Sequence, residues 1–136
     1  SLQKRIRFID GFIAEAGLDG VATAAVRAED AGRSPAFRER FDVVVSRAVA
    51  ELRALCEYCL PLVRVGGRMI AYKGPDAPAR AEEARRAAKE LGGGDIAVIP
   101  APLGRGLEHH LIVVEKAAPT PPAYPRKQAR IVKSPL

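Results

Sequence analysis

The stretch Phe41-Asp42-Val43-Val44-Val45-Ser46 decides the fold class of this chain. A run of β-branched residues between polar neighbours is typical of a buried strand. Residues 50–63 follow with the composition of a helix, and Pro61 disturbs its last turn. After the Gly66-Gly67 break, residues 68–73 predict a second strand. A strand, a helix and a strand in this order predict a parallel pair with the helix on one face of the sheet.

The same alternation continues on both sides of this unit. Residues 1–16 carry apolar residues at steps of three and four, which predicts a broadly packed helix, and residues 21–26 predict a strand. Residues 78–91 predict another helix, followed by strands at 96–99 and 110–114. The loop between those last two strands is too short for a helical crossover. We therefore predict an α/β fold with a mostly parallel sheet that ends in an antiparallel strand pair.

Length and composition indicate a folded domain. The chain has 136 residues, of which 48% are hydrophobic and 28% charged, so it can bury a real core. The sequence shows no apolar run of the roughly 20 residues that a bilayer crossing requires. It also shows no secretory signal pattern after Ser1, so we expect a cytoplasmic protein without membrane contact.

The positive charge is concentrated at the C-terminal end. Residues 117–136 hold four cations and no acid, so they carry +4 of the formal net charge of +6. Five prolines in the same segment predict that it has no regular core element. We therefore divide the chain into a body at residues 1–116 and a basic, proline-rich tail at residues 117–136. Clustered cations indicate contact with a polyanion, although a solvated terminus is the plainer alternative.

Several short motifs narrow the fold to one family. They are Leu2-Gln3-Lys4-Arg5-Ile6, Arg27-Ala28-Glu29, Phe41-Asp42-Val43-Val44-Val45-Ser46-Arg47-Ala48-Val49-Ala50, Leu60-Pro61-Leu62-Val63, Tyr72-Lys73-Gly74 and Tyr124-Pro125-Arg126-Lys127. In this order and spacing the chain resembles the glucose-inhibited division protein B family, also called ribosomal RNA small subunit methyltransferase G. One departure is Gln128-Ala129-Arg130-Ile131-Val132, which stands where the family usually has a Gly-Thr-Pro-like turn.

The resemblance implies a Rossmann-like class I methyltransferase that uses S-adenosylmethionine to methylate guanine N7 in 16S ribosomal RNA. The small ribosomal subunit is the implied partner and a monomer the implied state. The family's glycine-rich cofactor loop and the acid after its second strand would both precede Ser1. In the family's strand order, the first two strands lie between those expected here at residues 21–26 and 41–46. We therefore expect a partial domain of lower stability that binds S-adenosylmethionine weakly or not at all.

The resemblance also places cofactor-binding residues at the carboxyl ends of strands, where open α/β sheets bind ligands. Ala28 and Glu29 would contact the adenine, through a backbone N–H and a carboxylate. Arg47 would lie in the cofactor site. The alternatives are that Glu29 is solvated surface and that Arg47 forms a structural ion pair with Asp42 or Glu51.

Three further cations are candidate RNA contacts. Lys73 ends the strand after Arg47, so the two side chains would present positive charge to a phosphate or to guanine O6; capping of the sheet edge is the alternative for Lys73. Arg126 and Lys127 follow Tyr124, and an aromatic ring beside cations is typical of single-stranded RNA sites. A tail that folds back on the body through Tyr124 is compatible with that role. We expect the residues around Glu29, Arg47 and Lys73 to converge on one ligand-sized hollow.

No residue is assigned as a catalytic acid, base or nucleophile. Cys56 and Cys59 lie in a predicted helix without a second cysteine pair, so we interpret them as packed thiols and predict no metal site. His109 and His110 point to opposite sides of a strand. A non-enzymatic RNA-binding module remains the main alternative function. A nucleotide-binding oxidoreductase has only the fold in its favour, because the sequence has no G-x-G-x-x-G motif.

Overall fold

A four-stranded sheet forms the centre of the part of the chain that this computed structural model describes, residues 2–101 and 108–136. In chain order the elements are α1 (Leu2–Glu15), α2 (Ala28–Ala31), β1 (Phe41–Arg47), α3 (Leu52–Cys59), β2 (Val63–Lys73), α4 (Ala77–Glu90), β3 (Gly93–Pro100), β4 (His110–Lys116) and α5 (Gln128–Lys133). A single 3-10 turn at Leu60–Leu62 joins α3 to β2, where Pro61 was expected to disturb the helix. Within the described residues, no helix has both the length and the apolar run that would cross a bilayer.

The strand order is β1-β2-β4-β3, and the sheet is mixed. β1 and β2 are parallel and are joined through α3, as the sequence predicts. β4 lies between β2 and β3 and is antiparallel to both. The predicted α/β fold with its C-terminal antiparallel strand pair is therefore confirmed. β2 starts earlier than predicted, so Gly67 lies inside it; a Cβ there would be 2.5 Å from the backbone oxygen of Asp42 on β1.

One face of the sheet carries the hydrophobic core. Val44, Met69, Val114 and Ile96 lie side by side across the four strands on this face. α3 and α4 cover this face with small and medium-sized side chains: Leu55, Cys56, Cys59, Ala81, Ala84 and Ala88. Because side chains alternate along a strand, these buried positions are every second residue.

The other face is open among the described residues. Its apolar side chains Val43, Val45, Tyr72 and Ile99 are 42 to 66% exposed. The prediction that residues 41–46 form a buried strand is therefore wrong here, although the strand itself is confirmed. β1 is one of the two edge strands, so it has a hydrogen-bonded neighbour on one side, and no helix of the described part of the chain covers its outward face.

The N-terminal elements differ most from expectation. Residues 21–27 have no regular secondary structure, so the predicted strand at 21–26 is wrong for the described structure. A strand needs a hydrogen-bonded neighbour, and in the described structure no strand pairs with this segment. α1 is confirmed as a helix, but Phe8 is 77% and Phe12 58% exposed, so the broad packing expected for it is absent from this structure.

The tail contains an element that its prolines were expected to exclude. α5 spans Gln128–Lys133, and Ile131 in it is fully buried. All five prolines of the tail lie outside this helix, which explains why it can form. The expectation of no regular core element in residues 117–136 is therefore wrong.

Candidate functional site

The carboxyl ends of β1 and β2 lie next to each other at one edge of the sheet. Arg47 is aligned with Tyr72 in the parallel pair, so Lys73 is the next residue beyond that row. Arg47 is exposed, whereas Lys73 is half-buried and its Nζ donates to the Ala50 carbonyl oxygen at 2.6 Å. An ammonium has three donors, so this bond leaves Lys73 with others for a ligand. Both residues thus lie at this end of the sheet, but side-chain alternation along the strands directs Arg47 to the open face with Tyr72 and Lys73 to the opposite face.

Two neighbours of Arg47 were missed from the sequence. The hydroxyl oxygen of Ser46 is buried and has no hydrogen-bond partner among the described residues. Ala48, directly after Arg47, has a φ of 55°, a left-handed conformation that a residue with a Cβ rarely adopts. Strained backbone and unpaired buried polar atoms are concentrated at functional sites in proteins. The sequence gives no signal for either feature, because both arise from how the turn after β1 meets α3.

Ala28 and Glu29 form the first turn of α2. The residue before them, Arg27, provides no side-chain cap, so the first N–H groups of the helix lack an intrahelical acceptor. Glu29 is buried, and its carboxylate lies 3.9 Å from Arg27 Nη1, which is longer than a hydrogen bond. The interpretation of Glu29 as solvated surface therefore does not hold.

α2 packs against α3, which leads away from the β1 rim. Burial raises the pKa of Tyr58 on α3, and the nearby negative charges of Glu29 and Glu57 raise it further, which places Tyr58 beside both carboxylates. The hydrogen bonds and packing therefore join Lys73 to Ala50, and join α2 to α3. The convergence of these two groups on a single hollow stays a prediction.

The two predicted tail cations have different surroundings. The guanidinium of Arg126 donates to both carboxylate oxygens of the fully buried Glu57, with distances of 2.7, 2.9 and 3.2 Å, and its backbone N–H donates to the same group at 2.7 Å. This pairing raises the pKa of Arg126. Lys127 is exposed at the start of α5, and Arg130 and Lys133 are exposed on that helix. Lys127, Arg130 and Lys133 are thus the tail cations that face solvent.

Tyr124 connects the tail to the body instead of lying open for stacking. Its ring packs against the core, and its hydroxyl donates to the carboxylate of Glu90, which raises the pKa of Tyr124. The folded-back arrangement that the sequence left open is therefore the one found. Lys116 reinforces it, because its buried Nζ donates to Leu60 O at 2.6 Å and Thr120 Oγ1 at 2.5 Å.

The two cysteines are buried, and His110 is aligned with Lys73 in the antiparallel β2–β4 pair. Cys56 and Cys59 are buried free thiols, as predicted, and burial raises the pKa of each to about 12. The side chain of His110 is half-buried, with Nδ1 3.2 Å from the Gly74 carbonyl oxygen. No group of three or more potential metal-ligating side chains occurs within the described ranges.

Comparison with known proteins gives a consistent result. The model of a family described as rRNA small subunit methyltransferase G matches residues 1–101. Proteins named ribosomal RNA small subunit methyltransferase G match all of this chain with 46% identity in Moorella thermoacetica, 48% in Symbiobacterium thermophilum and 43% in Clostridium tetani. This chain spans 57 to 58% of the length of these relatives. A solved T. thermophilus 16S rRNA N2 methyltransferase in complex with AdoMet and guanosine aligns with 62% of this chain and 22% of its own, at 20% identity and a TM-score of 0.45, a likeness too low to carry an argument.

Proposed function

This chain belongs to the ribosomal RNA small subunit methyltransferase G family, and on that premise we propose that it serves S-adenosylmethionine-dependent methylation of guanine N7 in 16S ribosomal RNA. The observation that carries the proposal is the shared rim of β1 and β2, where Arg47 and Lys73 end parallel neighbours. Open α/β sheets bind their ligands at this edge. Because this chain spans 57 to 58% of the length of its relatives, the activity is proposed for a protein that also contains the part of the relatives that this chain does not span.

The residues of α2 fit the adenine end of S-adenosylmethionine. Adenine offers ring nitrogens as acceptors and an amino group as a donor. The first-turn N–H groups of Ala28 and Glu29 supply donors without an intrahelical partner, and the buried Glu29 carboxylate supplies an acceptor. We propose that Ala28 and Glu29 hold the base and that Arg47 lines the same cofactor site.

For this methyl transfer the protein mainly has to place guanine N7 in line with the methyl group of the cofactor. S-adenosylmethionine supplies an electrophilic methyl group when bound. Guanine N7 has a lone pair and no proton, so no general base is needed and none is assigned. Arg47 and Lys73 add positive charge at the rim, which suits a guide for an RNA phosphate or for guanine O6. Electrostatic guidance of this kind raises the rate only when the target base is held in line.

We propose that the tail binds ribosomal RNA through Lys127, with Arg130 and Lys133 beside it on α5. These side chains are exposed, and neutralising phosphates is what clustered cations do most effectively. The direct RNA role first assigned to Arg126 is proposed only for its remaining exposed edge, because its Nε and Nη2 donate to Glu57 and to Ser134 O. The small ribosomal subunit as partner, a monomeric state and a cytoplasmic location are part of the same proposal.

Methyl transfer to small ribosomal subunits tests the proposal directly. This chain is joined to the part of the Moorella thermoacetica relative that it does not span, and the fusion is given labelled S-adenosylmethionine and subunits that lack the methyl group. We expect label in 7-methylguanosine of 16S rRNA. Lys73→Ala is expected to reduce methylation while leaving cofactor affinity nearly unchanged, and Glu29→Ala to reduce cofactor affinity. Arg80→Ala, on the exposed side of α4, is the matched control.

A non-enzymatic RNA-binding module is the second candidate, favoured by the exposed cations of α5. The same fusion separates the two readings. Retention of RNA without any binding of S-adenosylmethionine would support the binding module. Methylation at a different atom or in a different RNA would reject the proposed reaction.

A further inference from the structure

Arg38 ties the connection between α2 and β1 to the tail. Its Nη1 donates to Gly32 O at 2.7 Å and to Tyr124 O at 2.8 Å. Its Nη2 donates to Thr120 O at 2.7 Å and to Pro121 O at 3.3 Å. Gly32 caps the end of α2, whereas the other three acceptors belong to the tail. One guanidinium thus bridges two chain segments that lie more than 80 residues apart in sequence.

Two further contacts join the same segments. A Cβ on Gly32 would be 3.0 Å from Pro125 Cγ, so α2 and the tail approach as closely as a glycine permits. At the other end of α2, Arg27 Nη1 donates to Gln128 Oε1 of α5 at 2.6 Å. The tail therefore contacts both ends of α2.

α2 has little other support on its N-terminal side. Residues 21–27 have no regular secondary structure, and α2 itself is only four residues long. A single turn of helix is not stable by itself in water. Its position in the described structure therefore depends on α3 and on the tail.

We propose that Arg38 is a positioning residue that couples the tail to cofactor binding. By fixing α2 to the tail, Arg38 holds Ala28 and Glu29 in the arrangement that binds adenine, so RNA on the tail and cofactor on α2 bind cooperatively. This inference rests on the proposed cofactor and RNA sites, but its structural part stands without them. A planar guanidinium suits the role because its five donors lie in a rigid fork on separate nitrogens and here reach four carbonyl oxygens, one more than the three donors of an ammonium could bind.

The test measures amide hydrogen exchange and cofactor affinity on the same proteins. The variants are Arg38→Gln, Arg38→Lys and Gly32→Ala, with Arg80→Gln as the matched arginine control. Gly32 has a φ of −64°, so alanine there strains no backbone and acts through close contacts of its Cβ with Pro125 of the tail, at 3.0 Å, and with Pro61, at 3.1 Å. The probes are S-adenosylhomocysteine and a single-stranded RNA of about 12 nucleotides.

In Arg38→Gln we expect exchange to rise together in residues 28–34 and 119–127, while the core strands β2 and β4 stay protected. The dissociation constant of S-adenosylhomocysteine should rise about tenfold and lose the dependence on RNA that the unmodified chain shows. Arg38→Lys should behave like Arg38→Gln, because charge without the fork does not bridge the segments. Gly32→Ala should shift the same two segments.

Faster exchange in the tail with α2 unchanged would overturn the inference, and so would full rescue by Arg38→Lys. If this chain by itself does not bind S-adenosylhomocysteine, affinity is measured on the fusion with the Moorella thermoacetica part; absence of binding there too rejects the proposed function, and the exchange pattern still decides whether Arg38 couples the segments. If cofactor binds equally well to all variants and α2 exchange is unaltered, the inference fails while the proposed function stands.

Discussion

Removing the charge of Arg126 should destabilise the fold strongly, because it leaves Glu57 buried without its partner. Glu57 is 0% exposed, and the side chain of Arg126 is 16% exposed. Breaking a buried ion pair by deleting one member costs about 3–5 kcal/mol, and the partial exposure of Arg126 puts the expected loss at the lower end, about 3 kcal/mol. With a urea dependence of about 2 kcal/mol per molar, the unfolding midpoint of Arg126→Gln should fall by roughly 1.5 M.

Urea unfolding followed by far-ultraviolet circular dichroism measures this shift. Lys127→Gln is the matched control, since Lys127 is an exposed neighbour and its substitution should change stability by less than about 0.5 kcal/mol. The paired change of Glu57→Met and Arg126→Met should recover most of the loss, because an apolar pair removes both buried charges. Equal midpoints for Arg126→Gln and Lys127→Gln would refute the structural role given to Arg126.

Three further predictions concern other parts of the fold. Gly92 has a φ of 84°, and a Cβ there would lie 2.2 Å from a backbone oxygen, so Gly92→Ala should lower the unfolding free energy in urea by more than about 2 kcal/mol. Gly17→Ala, at a φ of 61° with open space around it, is the control and should cost only about 1 kcal/mol. Cys56 and Cys59, each with a pKa of about 12, should not react with Ellman's reagent at pH 8 in the folded chain, and both should react in urea. If the folded chain reacted as fast as a small free thiol, that result would contradict their burial. Burial would raise the pKa of Glu39, but hydrogen bonds from the backbone N–H of Thr120 in the tail and from Lys116 lower this pKa below its usual value of 4.5. Glu39 therefore stabilises the fold above pH 4.5, and this contribution is lost as the pH falls through the lower pKa of the folded state. The difference in unfolding free energy between the unmodified chain and Glu39→Gln should therefore shrink in acid. A difference that stays constant down to the acid transition would argue against the tail contact.

The central strands could be predicted because their signals are local. The β-branched run at Val43 to Val45 and the glycines that bound its neighbours specify strands wherever a partner strand is available. Residues 21–26, with three β-branched residues among three alanines, form no strand, because strand formation also depends on pairing partners that composition does not supply. The tail helix was missed for the opposite reason, since its prolines all lie outside the short stretch that folds around Ile131.

For the candidate site, the sequence could predict the residues at the strand ends but not the contacts that the tail makes. Arg47 and Lys73 follow strands, so their shared edge follows from parallel pairing. The partners of Arg126 and Arg38 could not be read from the sequence. Glu57 and the four carbonyl oxygens lie far away along the chain, and their meeting depends on how the tail folds back. A basic motif therefore predicted RNA contact for a side chain that mainly stabilises the fold.

A titration of the isotope-labelled fusion of this chain with the Moorella thermoacetica part, using S-adenosylhomocysteine and followed through backbone amide resonances, tests the proposed cofactor rim most directly. The account predicts that the amides of Ala28, Glu29, Arg47 and Lys73 shift along one common saturation curve, with a dissociation constant of about 1 mM or lower. Resonances at these four positions that stay fixed up to about 10 mM ligand, or that follow unrelated curves, would contradict it.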